Sequence, residues 1–308
     1  MRKAFKYWGI SSLLVLSLVI GIAGCGGDDG GGGSANITGD ELMENVLFAD
    51  ADVETVKFDM DMKMKMDGDM MGQSYGMDMS MDGEGVMDNV EKKMKMEMDM
   101  SMDMDMGGMG DMDMDMDMEM YLIGDTMYMK MSEMMGMPEQ WMKMDAGNTW
   151  EDQDMVAQQT ELLEHADLSI SNGGKVNGED TYKVVIVPKD MRALYESMGS
   201  SLGMTEGLGT GLPSDIDMDE FEDMIKDFSV TQWYAKDTFF PMKAEMDITL
   251  VMTSDAAGME GMGGDMNMDM EMTINFKDYN KSVSIELPNE ARNAADMGSY
   301  MDTGGMGF

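Results

Sequence analysis

MKMEMDMSMDMDM, residues 94–106, and MDMDMDMEMYLI, residues 112–123, put methionine at every second position with mostly charged residues between. FDMDMKMKMDGDM, residues 58–70, starts on phenylalanine and follows the same rule. On a helix, strict alternation scatters methionines around the whole circumference and leaves no face to bury. On a strand it puts every methionine on one side and every charge on the other. Propensity objects, because Asp is depleted in strands and Met is a good helix former. Period outweighs propensity here, since a strand alone offers a continuous apolar face. A disordered acidic tract is the weaker rival, because half the residues of these runs are apolar.

Working outward, turn signals cut the chain into hairpins. Gly107 to Asp111 separates two Met–Asp strands, and Gly124-Asp125 lies between MEMYLI and TMYMKM. Gly173-Gly174 separates DLSIS from a strand at Thr181 to Val187, and Asp237-Thr238 separates VTQWYA from FPMKAEMDITLVM. GMEGMGG, residues 258–264, precedes the alternating MNMDMEMTINF. Thr38-x-x-Glu41 is a capping-box pattern, followed by Leu42, Val46 and Leu47 on one side of a short helix. Two further helical regions are expected: Trp150 to Ala166, anchored by Val156, Leu162 and Leu163, and Pro188 through a Gly-rich loop to Phe228. The expected class is α+β, a curved antiparallel sheet of about eleven strands with helices laid against it.

The chain has 308 residues, 61 Asp plus Glu against 21 Lys plus Arg, one His and one Cys. A formal charge of −40 argues against nucleic acid as a partner. A lone cysteine excludes an intrachain disulfide and thiolate metal clusters. A nucleophile–His catalytic device would have to use His165, which ends the helical pattern ELLEHAD and reads as a capping residue. No catalytic residue and no cofactor is assigned, and the chain is not expected to be an enzyme.

Arg2, Lys3 and Lys6, the apolar run Ile10 to Ile22 and the exit Ala23-Gly24 form a signal peptide over residues 1–24. The apolar run is short of the roughly 20 residues of a membrane span. Ile22-Ala23-Gly24-Cys25 resembles a prokaryotic lipobox, with Cys25 the lipidated residue. Cleavage removes three positive charges and no acid, leaving 18 against 61, a formal charge of −43. Residues 25–37 read as a Gly-rich tether, residues 38–296 as the folded domain and residues 297–308 as a flexible Gly/Met tail. Asn36-Ile37-Thr38 and Asn280-Lys281-Ser282 make Asn36 and Asn280 candidate glycosylation sites.

Several stretches also carry a family resemblance: the lipobox, the long alternating strands, the spacing W-x-A-K-D-T-x-x-P-M-K over Trp233 to Lys243, and the closing F-x-D-Y-N-x-x-V-x-I-E-L-P. From about Thr38 to Ala295 the chain resembles the LolA-like lipoprotein carriers, in particular the LppX–LprAFG type found among archaeal surface lipoproteins. The resemblance implies a half-open β-barrel with a helical lid, whose concave face binds a lipid or a lipidated protein. The methionines depart from it, since family members fill these strands with mixed aliphatics.

Three readings of the methionine face stay open. Met is flexible and polarisable, so it fills a curved surface, adapts to varied apolar ligands, or supplies thioethers to a soft metal such as Cu(I). The ligand-binding reading assigns Met60, Met62, Met64, Met94, Met96, Met98, Met100, Met112, Met114, Met116, Met118 and Met129 to a concave, Met-lined face. The metal alternative uses Met106, Met109, Met112, Met259, Met262 and Met266 at the two Gly-rich turns. The Asp ladders match no EF-hand loop and read as a solvated acidic surface. Trp141, Trp150, Trp233 and Tyr234 read as plugs of sheet edges and lid, and Gly199 to Pro213 as an entrance loop. The expectation is a monomeric extracytoplasmic lipoprotein, anchored through Cys25 to the outer face of the cytoplasmic membrane, that binds or shuttles an apolar small molecule or lipid. Soft-metal handling and a structural cell-envelope role are the alternatives.

Overall fold

The structure, a computed structural model, describes residues 37–70, 73–105, 110–131, 139–146, 166–189, 224–252 and 266–296. Helix α1 (Gly39–Asp50) comes first, followed by strands β1 (Thr55–Met70), β2 (Gln73–Asp88), β3 (Lys93–Asp105) and β4 (Asp111–Ile123). Then come β5 (Thr126–Met131), β6 (Gln140–Asp145), β7 (Ala166–Val176) and β8 (Glu179–Pro188). The chain continues through β9 (Ile225–Ala235), β10 (Pro241–Met252), β11 (Met266–Lys277), a 3-10 turn at Ala291–Asn293 and β12 (Ala295–Asp296). All strands join one open, curved sheet in the order β12-β6-β5-β4-β3-β2-β1-β11-β10-β9-β8-β7.

The alternating runs are strands, as their period requires. Among the described residues neighbouring strands pair antiparallel, except that β12 runs parallel to its partner β6. The expected class needs correction: among the described residues the chain is mainly β, with twelve strands, with α1 and one 3-10 turn as its helical elements, and with no helical lid over the sheet. Most of both expected helical insertions lies outside the described residues. At its end the second was misread, because Ile225 to Phe228 belong to β9, where Phe228 is buried and pairs with Ile248. Those apolar residues are spaced for a sheet partner that the local acidic composition does not advertise.

Gly173-Gly174 is not the expected turn. β7 runs through it with a register shift between Asn172 and Gly174, and the chain reverses at Asn177-Gly178, both at positive φ. Glycine is required at position 173 for another reason: a Cβ there would lie 2.4 Å from the Thr181 hydroxyl and 2.7 Å from the Trp233 ring. The turns at Gly124-Asp125 and Asp237-Thr238 fall where expected.

α1 opens on Thr38, whose hydroxyl accepts the Glu41 N–H at 3.3 Å. Leu42, Met43 and Val46 are buried in the same core as the strand methionines. The two motifs that carried the family resemblance meet in a corner of the sheet. Tyr279 stacks on Phe240 with centroids 4.6 Å apart and donates a hydrogen bond to the Pro241 carbonyl. Asn280 accepts the Glu54 N–H at 2.8 Å and donates to the Asp52 carbonyl at 3.0 Å, tying this corner to the start of β1. These residues earn their spacing by holding backbone, whatever else is attached to them.

Candidate functional site

Cross-strand register fixes which side chains share a face. Met116, Met100, Met81, Met62, Met272 and Met246 stand side by side on β4, β3, β2, β1, β11 and β10. Val230, Ile186 and Leu168 continue the row through β9, β8 and β7. Neighbouring Cβ atoms in such a row are about 4.5–5.5 Å apart, within reach of one another's side chains.

All twelve methionines assigned to a ligand face lie on this one side. Met60, Met94, Met96, Met98, Met100, Met116, Met118 and Met129 are buried, Met62 and Met64 are partly buried against them, Met114 is half-buried, and Met112 is 39% exposed. Burial therefore changes along the strands. One end is closed by Phe58, Phe276, Met96, Met120 and Leu122, all at 2% exposure or less. Toward the other end Met66, Met77, Met104 and Met268 are half-buried. The same alternation predicts Met66, Met79, Met102 and Met270 on this face, and sequence reasoning passed them over because it did not follow register across β1, β2 and β11.

Gly85 makes the closed end possible. It sits opposite Phe58 on the methionine side, and a Cβ there would be 2.1 Å from the Phe58 ring. The missing side chain lets the ring lie across β2.

The opposite face carries the charge. Asp117, Asp99, Asp82 and Asp61 form one row, and Glu119, Glu97, Glu84 and Asp59 the next. Like charges directly opposite are destabilising. Lys95 offsets part of this, 2.6 Å from Glu97 and 3.9 Å from Glu119, and Lys277 lies 2.5 Å from Asp59. Two hollows, of about 630 and 730 Å³, are lined mainly by this polar face. Both hollows therefore open on the reverse of the face expected to be concave and ligand-lined, where most of the assigned methionines are buried.

Titration follows the same geography. Partial burial, then the carboxylates of Glu271, Glu245 and Asp227, raise the Asp247 pKa. Burial and a 2.7 Å hydrogen bond to Glu119 push the Tyr121 hydroxyl well up. Hydrogen bonds from Lys281 and Lys57 lower Asp278. Among the described residues no group of three His, Cys, Asp or Glu side chains is arranged to hold a metal ion.

Of the expected plugs, Trp233 and Tyr234 are buried. Lys183 and Lys243 approach the Trp233 ring at 5.2 and 5.0 Å, and the Tyr234 hydroxyl donates to Gln232. Trp141 is half-buried and tilts against Tyr121 at 5.9 Å. Cys25, Asn36, Met106, Met109, Trp150, His165, Met259, Met262 and the Gly199–Pro213 loop lie outside the described residues. Met266, from the metal alternative, opens β11 beside Met252 and Gly68.

A family described as a "Family of unknown function (DUF6612)" matches residues 38–296. No functionally curated protein matches the chain significantly. Among solved structures, the chain is similar to a DUF1329 family protein from Desulfovibrio piger. The identity is 10% and the TM-score 0.22, over 79% of this chain and 92% of that one.

Proposed function

We propose that this chain, which belongs to the DUF6612 family, is an extracytoplasmic lipoprotein that holds an apolar molecule against its methionine face. In this reading the sheet is a half-barrel of the LolA-like kind, tethered through Cys25, and its ligand is a lipid or the acyl chain of a lipidated partner. The observation that carries the reading is the burial gradient: a methionine face sealed by Phe58 and Phe276 at one end and partly exposed at Met66, Met77, Met104 and Met112 at the other. An apolar guest entering there meets unbranched, three-torsion side chains that re-pack around it at little cost. The acidic reverse face keeps such a domain dispersed and repels anionic head groups, so contact with the membrane runs through the anchor.

The test uses the mature chain with an apolar fluorescent probe, and native mass spectrometry of protein purified from its own host. The probe should bind, and replacing Met98 and Met114 together by Leu should leave most of its affinity. Half-buried Met114→Asp should abolish binding, because the guest would have to desolvate a carboxylate. Cys25→Ser should release the protein from the membrane fraction. A wild-type protein that binds no probe and carries no added lipid mass would end this reading.

A further inference from the structure

We propose that the partly exposed end of the methionine face binds a soft monovalent cation, Cu(I) or Ag(I), through thioethers of neighbouring strands. This inference does not rest on the carrier reading. It starts from one row: Met112, Met104, Met77, Met66 and Met268 are direct cross-strand neighbours on β4, β3, β2, β1 and β11. Met66, Met77, Met104 and Met268 are half-buried and Met112 is exposed, so the row is not sealed from solvent. The next row inward, from Met114 to Met270, is also unbroken methionine across the same strands.

Spacing suits coordination. Cross-strand Cβ atoms lie about 4.5–5.5 Å apart, and i, i+2 neighbours on one strand about 6–7 Å apart. Sulfurs on flexible side chains bridge such gaps by rotamer choice, so two thioethers of one row and one of the next can share an ion. Thioethers are soft donors that select Cu(I) over hard cations. They are also neutral, and the charge they cannot offset is offset by Asp67, Asp103, Asp105 and Asp113, which alternate with them on the same strands.

Position within the sheet separates coordination from packing. If methionine were filler alone, mixed aliphatics would serve equally at both ends, because volume-conserving apolar swaps cost little. The sealed end does use other residues: Val56, Phe58, Ile274, Phe276 and Leu122 interrupt its rows. The two outermost rows are methionine alone from β4 to β11, as is the largely buried Met116–Met246 row beside them, so exposure to solvent singles out the open end.

The experiment is titration of the mature chain with Ag(I), and with Cu(I) under reductant against a chromophoric competitor, while methyl-labelled methionines are followed by NMR. Wild-type methyl resonances of Met66, Met77 and Met104 should shift first. The variant M66L/M77L/M104L should lose affinity. Loss of outer-sphere groups alone costs about 10–100-fold, so loss of three ligands should cost at least that. M94L/M96L/M120L, with the same count of changes at the sealed end, should bind as wild type does, and circular dichroism should show both variants folded. No ion binding by wild type, equal loss in both variants, or unchanged binding in M66L/M77L/M104L would each overturn the proposal. The last of these would move the ion to the Gly-rich turns of Met106, Met109, Met259 and Met262. Should the open-end variant fail to fold, the wild-type methyl shifts decide by themselves.

Discussion

Across β1–β4 and β11 the apolar face of the sheet is mainly methionine, whereas across β7–β9 the same face is built from Leu168, Ile170, Val184, Ile186, Phe228 and Val230. Val184, Ile186 and Val230 are buried to 2% exposure or less, much like Met96 and Met98. Both halves therefore satisfy the demand for an apolar core, and they satisfy it with opposite mechanics. β-Branched side chains are stiff at χ1 and favour the pleated strand, while methionine gains little from the strand and keeps several rotamers open. The reverse face divides along the same line. Behind the methionines stand rows of Asp and Glu. Behind the aliphatics stand Ser169, Ser171, Thr231, Lys183 and Trp233. A half that is repelled on one face and adaptable on the other is suited to change shape, and the aliphatic half to hold it in place.

The largest expected effect tests that division directly. Ile186→Ala should cost about 2–5 kcal/mol, because a rigid, fully packed site cannot collapse onto the cavity. Met98→Ala, the same truncation at an equally buried site, should cost about 2 kcal/mol, the low end of that range, since flexible neighbours re-pack into the space left. Urea denaturation of the two variants measures both, and equal costs would erase the distinction between the halves.

A smaller effect should come from salt. The charge repulsion is concentrated in the methionine half, so molar salt should stabilise the fold by screening it. A gain of about 1 kcal/mol would raise the melting temperature by roughly 2–4 °C. Replacing Asp82 and Asp99 by Asn should shrink the salt response, whereas the same change at Asp167 and Asp180 in the aliphatic half should leave it intact. A response unaffected by Asp82 and Asp99 would detach repulsion from the methionine strands.

The smallest effect concerns Asp247, where the halves meet. It stands between Glu271 of β11 and Ser229 of β9. Its pKa is raised in the folded protein, so folding disfavours its carboxylate, and the fold gains stability as pH falls through that raised value. Asp247→Asn should therefore be slightly more stable than wild type at neutral pH, with the advantage fading as Asp247 itself becomes protonated. Melting curves across that range read the sign. A constant difference at every pH would mean that the charge plays no part.

Much of the fold was legible, for a reason tied to particular residues. In Met94 to Met104 and Met112 to Met120 the period of two is nearly unbroken, and a strand alone turns it into a face. Legibility stopped where period stopped. Ile225 to Phe228 were read with an acidic helix, because four residues of β9 carry too little pattern to betray a strand whose partner is distant in sequence. Gly173-Gly174 looked like a turn because glycine marks turns, but here it makes room for Thr181 and Trp233. The twelve methionines assigned to one face do share it, while their grading from sealed to exposed depends on neighbours that alternation does not name.

The sequence by itself determined the two-sidedness of the sheet, the turns at Gly124-Asp125 and Asp237-Thr238, and the acidity of one face. All of these are local consequences of side-chain period and backbone freedom. Tertiary structure alone decided that Met66 stands beside both Met77 and Met268, that Phe58 lies over Gly85, and that the methionine face closes at one end. Those outcomes depend on which strands pair and in what register. Pairing between β1 and β11, some two hundred residues apart, is chosen by the burial of the whole face and not by either strand's own residues.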